Sequence, residues 1–304
     1  MNKRLVRPLV LLWGLAGAAP RPPSGDAVIR AKAGDSEIVI TTTARLAGAI
    51  HSVTWGGKEF IDSTDHGRQL QSASNLDCPD GRFIPEVFNP TEAGSRADHV
   101  GPRSSSKLLS LSAEGAELRT RSQMAFWLMP GERSEGHLAC NDRVLSDHIL
   151  SKRVHIGHRD DPHIIEYDVT FTLPASERHA IAQFEALTGY MPPEFSRFLR
   201  YDGASRSFRA LDDGPGEQAM PVVLAAEDGS NAMGIFTPEP GPGYGRWRFR
   251  EAHVVKWNCV FRVRDPKGVK PGDYRYRMFV VVGSLEDVRR ALGSLRDEFP
   301  GASS

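Results

Sequence analysis

The chain lacks a surplus of charge of either sign: 38 basic and 38 acidic side chains leave a formal net charge of zero. A protein that neutralises a phosphate backbone needs an excess of lysine and arginine, so no nucleic-acid partner is expected. Long apolar runs are equally scarce. Beyond the N-terminus, no stretch approaches the roughly 20 apolar residues that span a bilayer. Helical periodicity is nearly absent. No repeat of fixed period is present, which excludes a propeller or solenoid, and no Pro/Gly/Ser linker divides the chain. Nucleophile elbow, Walker loop, H-E-x-x-H and dinucleotide-binding glycine patterns are all missing. The one glycine-rich run, GPGYG at 241–245, does not join a strand to a helix, so it is not a phosphate cradle. Cysteine is limited to three residues whose spacings fit no zinc motif. Neither a cofactor nor a metal is expected.

What is present at the start reads as an export signal. Lys3, Arg4 and Arg7 precede the short apolar run LVLLWGLAGAA, which ends in small residues where a peptidase can cut. This predicts a signal peptide over 1–19, a disordered leader over 20–26 and a mature chain from residue 27. No cysteine follows the apolar core, so no lipid anchor and no stable membrane anchor are expected; the destination is the periplasm or the exterior. In an oxidising compartment two cysteines can pair. Cys78 and Cys140 sit in loop-like sequence and are the better pair; Cys259, inside KWNCVFRV, reads as a buried strand residue.

Short alternating segments dominate from residue 27 to 283, among them AVIRAKA, SEIVITTT, AELRTRSQMAFWL, HIIEYDVTFTLP, HVVKWNCVFRV and YRYRMFVVVG. They read as strands separated by turn signals such as WGGKE, AEGAE and KPGDY. The exception is SLEDVRRALGSLRDEF, where Ser284 is a plausible N-cap, Asp287 lies three residues on, and Leu285, Val288, Leu292 and Leu295 form one apolar stripe. The predicted fold is all-β: one large antiparallel double-layered domain over 27–304 with a single C-terminal helix. Large sheets that curl offer a concave face, and concave faces bind ligands.

Candidate functional residues stand out by polarity in strand-forming sequence. In DHGRQLQSAS (65–74), alternation sends Arg68, Leu70, Ser72 and Ser74 one way and Gln69, Gln71 and Ala73 the other. Neither set is an apolar stripe. Arginine and glutamine are planar donors and acceptors suited to hydroxyls or a carboxylate; a structural pair between Arg68 and Asp65 is the alternative.

The hairpin GAIHSVTWGGKEFI followed by DHGRQLQ, Gly48 to Gln71, resembles the first strands of the galactose mutarotase-like superfamily. That resemblance implies a β-supersandwich acting on carbohydrate, as in aldose epimerases, polysaccharide lyases and glycoside hydrolase domains. It also implies that Arg68 reaches into a sugar site. The two catalytic histidines and the late glutamate of aldose 1-epimerases have no counterpart here, so the resemblance speaks to fold more than to epimerase activity.

Three further stretches carry candidates. The loop FNPTEAGSRADH (88–99) gathers Asn89, Glu92, Arg96, Asp98 and His99, and loops carry function more often than packing does. In HVVKWNCVFR (253–262), Lys256 and Asn258 interrupt a strand face; buried without partners they would be costly, so they are either solvated or employed. Glu166 and Asp168 share a strand face, close enough to raise one pKa if that face is buried. His155, His158 and His163 flank what reads as a hairpin loop rather than a metal site. Trp127 reads as core, whereas Tyr190, Glu194 and Trp247 are candidate sugar contacts.

Together these predict an exported protein that cleaves an oligo- or polysaccharide. Lyase chemistry would use Arg68, Asn89, Lys256 and Asn258 to neutralise a carboxylate, and His66 or His99 as base. Glycosidase chemistry would pair Glu92 with Asp98, Glu166 or Glu194. Gln69, Gln71 and Trp247 complete the expected substrate contacts. A mutarotase-type epimerase and a non-catalytic glycan-binding protein are the alternatives.

Overall fold

The computed structural model describes residues 23–302. The signal peptide expected over 1–19, and the leader as far as residue 22, lie outside the described residues. The last leader residues are not free: Thr42 Oγ1 donates to the Gly25 carbonyl and Ala44 N donates to Asp26 Oδ1.

Among the described residues, 19 strands form one hydrogen-bonded network that folds into two layers. The first layer runs through the strands Ala27–Ala33, Ser36–Thr42, Ile50–Trp55, Leu70–Leu76, Ile181–Met191, Val254–Arg264, Gly243–Phe249 and Gly216–Gln218, each antiparallel to the next. The second runs through Lys107–Glu114, Glu117–Phe126, Leu145–His158, Asp161–Leu173, Gly272–Gly283, Ala232–Phe236, Val222–Ala225, Arg197–Asp202 and Ser207–Ala210. A two-residue strand, Pro90–Thr91, pairs with both Leu70–Leu76 and Glu117–Phe126 and so ties the layers at one edge. This is the large antiparallel double-layered sheet that the sequence pattern predicts.

The inner faces meet through aromatics. Phe171 of the second layer lies 4.9 Å from Phe184 of the first, and Tyr276 stacks on Phe261 at 4.2 Å. Trp257 and Cys259 point into the same core, which confirms the expected alternation of KWNCVFRV and leaves Cys259 a buried free thiol. Trp257 fits because its partner across the strands is Gly189, where a Cβ would come within 2.4 Å of the indole. Cys78 and Cys140 are joined in a disulfide.

The helix Leu285–Glu298 covers the outer face of the second layer. Ser284 and Asp287 form a reciprocal capping box, and Val288, Leu292 and Leu295, joined by Ala291, are buried against Phe279, Val281 and Val223. Leu285, expected in the stripe, is only partly buried. No described helix is long and apolar enough to cross a membrane.

One strand escapes the sequence reading. The hairpin turn expected beside His158 is present at Arg159–Asp160, but Leu145–His158, the 14-residue strand leading into it, is not among the alternating segments. Its buried positions are Ser146, His148, Leu150, Lys152, Val154 and Ile156. Three of the six are polar, so hydrophobic alternation is broken where burial is continuous.

Candidate functional site

The outer face of the first layer is hollow. A groove of about 400 Å³ crosses it, floored by neighbouring strands. Strand parity decides what the floor is made of. In Leu70–Leu76, the residues Leu70 and Leu76 go to the core while Gln71, Ala73 and Asn75 line the groove. In Val254–Arg264 the groove receives Lys256, Asn258, Val260 and Arg262, the face on which the sequence places them. Ile181–Met191 supplies Gln183, Glu185, Thr188 and Tyr190. These four share a side because a bulge between Glu185 and Leu187 inserts one extra residue, Ala186. Ser72 Oγ donates to the Ala186 carbonyl at 2.7 Å, which holds the bulge from beneath. A bulge re-aims the side chains that follow it.

Glu185 and Lys256 form the centre of the floor. Lys256 Nζ lies 3.3 Å from Glu185 Oε2; Thr188 Oγ1 donates to the same oxygen at 3.0 Å and Asn258 Nδ2 at 3.4 Å. Asn258 is itself fixed, since its Oδ1 accepts from Gly245 N at 3.1 Å. Burial alone would push the Glu185 carboxyl up. The Lys256 charge and the hydrogen bonds from Thr188, Asn258 and Lys256 outweigh it and hold the carboxyl below its ordinary value. Lys256 is correspondingly raised: burial lowers it, and Glu185 more than compensates. Both are therefore charged at neutral pH. The ammonium also sits 4.8 Å from the Trp247 ring centre and 5.2 Å from that of Tyr190, within cation–π range.

Two indoles line the groove, and each rests on a glycine. A Cβ at Gly245 would lie 2.4 Å from Trp247, and one at Gly67 would lie 2.6 Å from Trp127. Trp127, read from the sequence as core, is half-buried and lines the groove. At another part of the lining Arg262 grips Glu217 with two hydrogen bonds of 2.9 and 2.7 Å and donates to Gln183 Oε1 at 2.9 Å. Glu86 supplies a third carboxylate to the lining, and Phe249 another ring. Gln71 donates to the Gly67 carbonyl, but its Oε1 is buried without a partner among the described residues.

Of the residues singled out from the sequence, the groove gathers Gln71, Asn89, Tyr190, Trp247, Lys256 and Asn258. Asn89 is also tied down, donating to the Ser74 carbonyl at 2.6 Å. The rest lie elsewhere. Glu92 is inside the sandwich, where one carboxylate oxygen pairs with Lys152 Nζ and the other accepts from Ser72 N at 3.1 Å; it serves the core rather than a substrate. His66 is 1% exposed, with its ring nitrogens 2.7 and 3.0 Å from the carbonyls of His99 and Arg45, so neither is free to act as a base. Arg68 makes the structural pair with Asp65 at 3.1 Å and donates to the Ala252 carbonyl, tying two loops. Gln69 is buried and donates to the Asp65 carbonyl.

Asp98 caps a one-turn helix at Arg96–Asp98, accepting from the backbone of Ser95 and Ser105, and His99 is exposed beside it. Glu194 pairs with Lys58 at the surface. Glu166 lies on the second layer, bonded to Arg153 and His158. Its carboxyl is lowered, not raised: burial pushes it up, but those two partners outweigh burial, and Arg153 also separates it from Asp168. Sequence reasoning missed Glu185, Gln183, Asn75, Glu217 and Arg262. The only available signal was polar residues on alternate positions of HAIAQFEALTGY, and the bulge hides that alternation.

No protein-family model matches the chain, and no curated protein sequence matches it. Solved structures resemble it in fold. A candidate aldose 1-epimerase from Escherichia coli K12 aligns with a TM-score of 0.48 and 11% identity over 86% of this chain and 100% of its own. The alpha-galactosidase AgaB of glycoside hydrolase family 36 from Geobacillus stearothermophilus aligns at 0.47 and 9% over 86% of this chain, which spans 42% of that enzyme. The heparan sulfate lyase HepC from Pedobacter heparinus aligns at 0.42 and 9% over 86% of this chain and 36% of its own. At such scores and identities the likeness extends to overall architecture and to nothing finer.

Two outcomes are expected of variants. Glu92→Ala and Lys152→Ala each strand one buried charge, and each should cost about 3–5 kcal/mol of stability in urea unfolding; a melt unchanged from wild type would return Glu92 to a surface role. Glu185 has a folded pKa below its unfolded value. Its stabilisation is thus complete above the unfolded pKa and lost as pH falls through the folded one. Glu185→Gln should lower the thermal midpoint at pH 7, and the gap from wild type should narrow as pH falls below the usual glutamate range. A gap that persists unchanged into acid would show that the Glu185 charge is not what matters.

Proposed function

We propose that the groove is a carbohydrate-binding site. The observation that carries this reading is the pairing of two indoles, each seated on a glycine, with a floor of fixed amides and opposed charges. Sugar rings present C–H faces to aromatic rings and hydroxyls to polar groups, and the groove offers both kinds of surface.

Cleavage is the finer reading, and it rests on the three carboxylates of the lining, Glu86, Glu185 and Glu217. In the free protein Glu185 and Lys256 are both held away from neutrality, whereas a general acid or base works best with a pKa near the operating pH. That favours recognition over proton transfer at this pair. Lyase chemistry through Lys256 would require a uronate to compete with Glu185 for the ammonium. A histidine-dependent epimerase finds no histidine among the described residues of the lining. Export to the periplasm or exterior is proposed on the charged and apolar N-terminus together with the Cys78–Cys140 disulfide.

Titration of a neutral and acidic oligosaccharide panel should quench or shift the tryptophan emission. Trp247→Ala should weaken binding by about tenfold or more, roughly 1.4 kcal/mol, with the fold retained by circular dichroism. Binding of a glycan that survives Trp247→Ala and Asn258→Ala unchanged would remove the groove from the reading. For export, N-terminal sequencing of protein recovered from outside the cytoplasm should find a chain that starts shortly after residue 19; a full-length N-terminus retained in the cytoplasm would overturn it.

A further inference from the structure

Three side chains that are not part of the groove lining converge at one corner, and the proposed function uses none of them. His148 stands near the start of the strand Leu145–His158, and Glu177 and His179 stand in the segment 174–180 that leads into Ile181–Met191. His148 Nε2 lies 2.7 Å and His179 Nε2 3.2 Å from one and the same oxygen, Glu177 Oε2. All three ligand atoms fall within 4.8 Å of one another. Both imidazoles are buried, and Phe88 packs against the two rings at 6.3 and 5.0 Å.

The tautomer at His179 is decided by its other neighbour. The Asp77 carbonyl can only accept, so the Nδ1 that lies 2.8 Å from it carries the hydrogen. A neutral ring then has its lone pair on Nε2, aimed at a carboxylate oxygen that is also only an acceptor. Two acceptors at 3.2 Å need a positive charge between them, a proton or a metal ion. An imidazole held at Nδ1 by a main-chain carbonyl, with Nε2 free, is the arrangement in which proteins hold metal-binding histidines. Asp77 is not a fourth ligand. Its carboxylate accepts from Ala180 N and Ile181 N at 3.0 and 2.8 Å and so fixes the turn that carries His179.

We propose that His148, Glu177 and His179 bind one divalent transition-metal ion, of which zinc suits two imidazoles and a carboxylate best. Three protein ligands leave a position for water, and a cavity of about 460 Å³ lined by Glu177 and His179 opens at this corner. The ion would tie the segment 174–180 to the strand Leu145–His158, close to Cys78, whose disulfide to Cys140 secures the same corner.

The test uses tag-free protein, stripped with chelator and then dialysed against zinc or cobalt(II). Expected are one retained zinc per chain by elemental analysis, visible cobalt absorption of a low-coordinate site, and a thermal midpoint that zinc raises. His148→Gln, His179→Gln and Glu177→Gln should each weaken retention at least tenfold and abolish the cobalt spectrum. Absence of stoichiometric metal in the wild-type protein would overturn the proposal, since a proton then bridges His179 and Glu177. Metal retained equally by folded variants would overturn it too, by placing the ion elsewhere. The wild-type measurement decides even if a variant fails to fold.

Discussion

Every strand of the hollow layer must serve two media at once. One side faces a core closed by a second sheet, and the other faces the groove. Extended backbone sends successive side chains to opposite sides, so the composition of the groove is set by the same register that fills the core. Leu70 and Leu76 cannot point inward unless Gln71 and Asn75 point outward. Trp257 and Cys259 bind Lys256 and Asn258 to the groove in the same way. The site is therefore not an addition to the sandwich but its second face.

Buried charge between the layers is paired, whereas the neutral groups Trp257 Nε1 and Ser74 Oγ are buried with no partner among the described residues. Glu92 and Lys152 are buried between the layers with each charge answered, and His66 has both ring nitrogens taken by carbonyls. Such groups look functional in a sequence because they are polar and ionisable. Their surroundings give them a structural role instead. They join loops and layers at places where an apolar residue would leave backbone groups without partners.

This explains what the sequence discloses and what it hides. The two-layered β architecture, the capped C-terminal helix, the Cys78–Cys140 pair and the outward face of Lys256 and Asn258 follow from local patterning and are legible. Leu145–His158 is not, because Ser146, His148 and Lys152 occupy buried positions and erase the alternation. Glu92 and Arg68 are misplaced by sequence reasoning because the nearest polar cluster in sequence is not the nearest in space. Lys152, the partner that turns Glu92 into a core residue, is sixty positions away. Glu185 and Glu217 escape notice because each is the one charged residue of its strand, and only pairing between Ile181–Met191, Val254–Arg264, Gly243–Phe249 and Gly216–Gln218 brings them to one surface.

Ala186, a methyl group that touches no ligand, has a reach out of proportion to its size. Were that single extra residue absent, the remainder of its strand would turn inside out: Thr188 and Tyr190 would face the aromatic interior, and Leu187 and Gly189 would face water. The chemistry of the hollow is thus governed by a count, odd or even, of residues between two points on one ribbon.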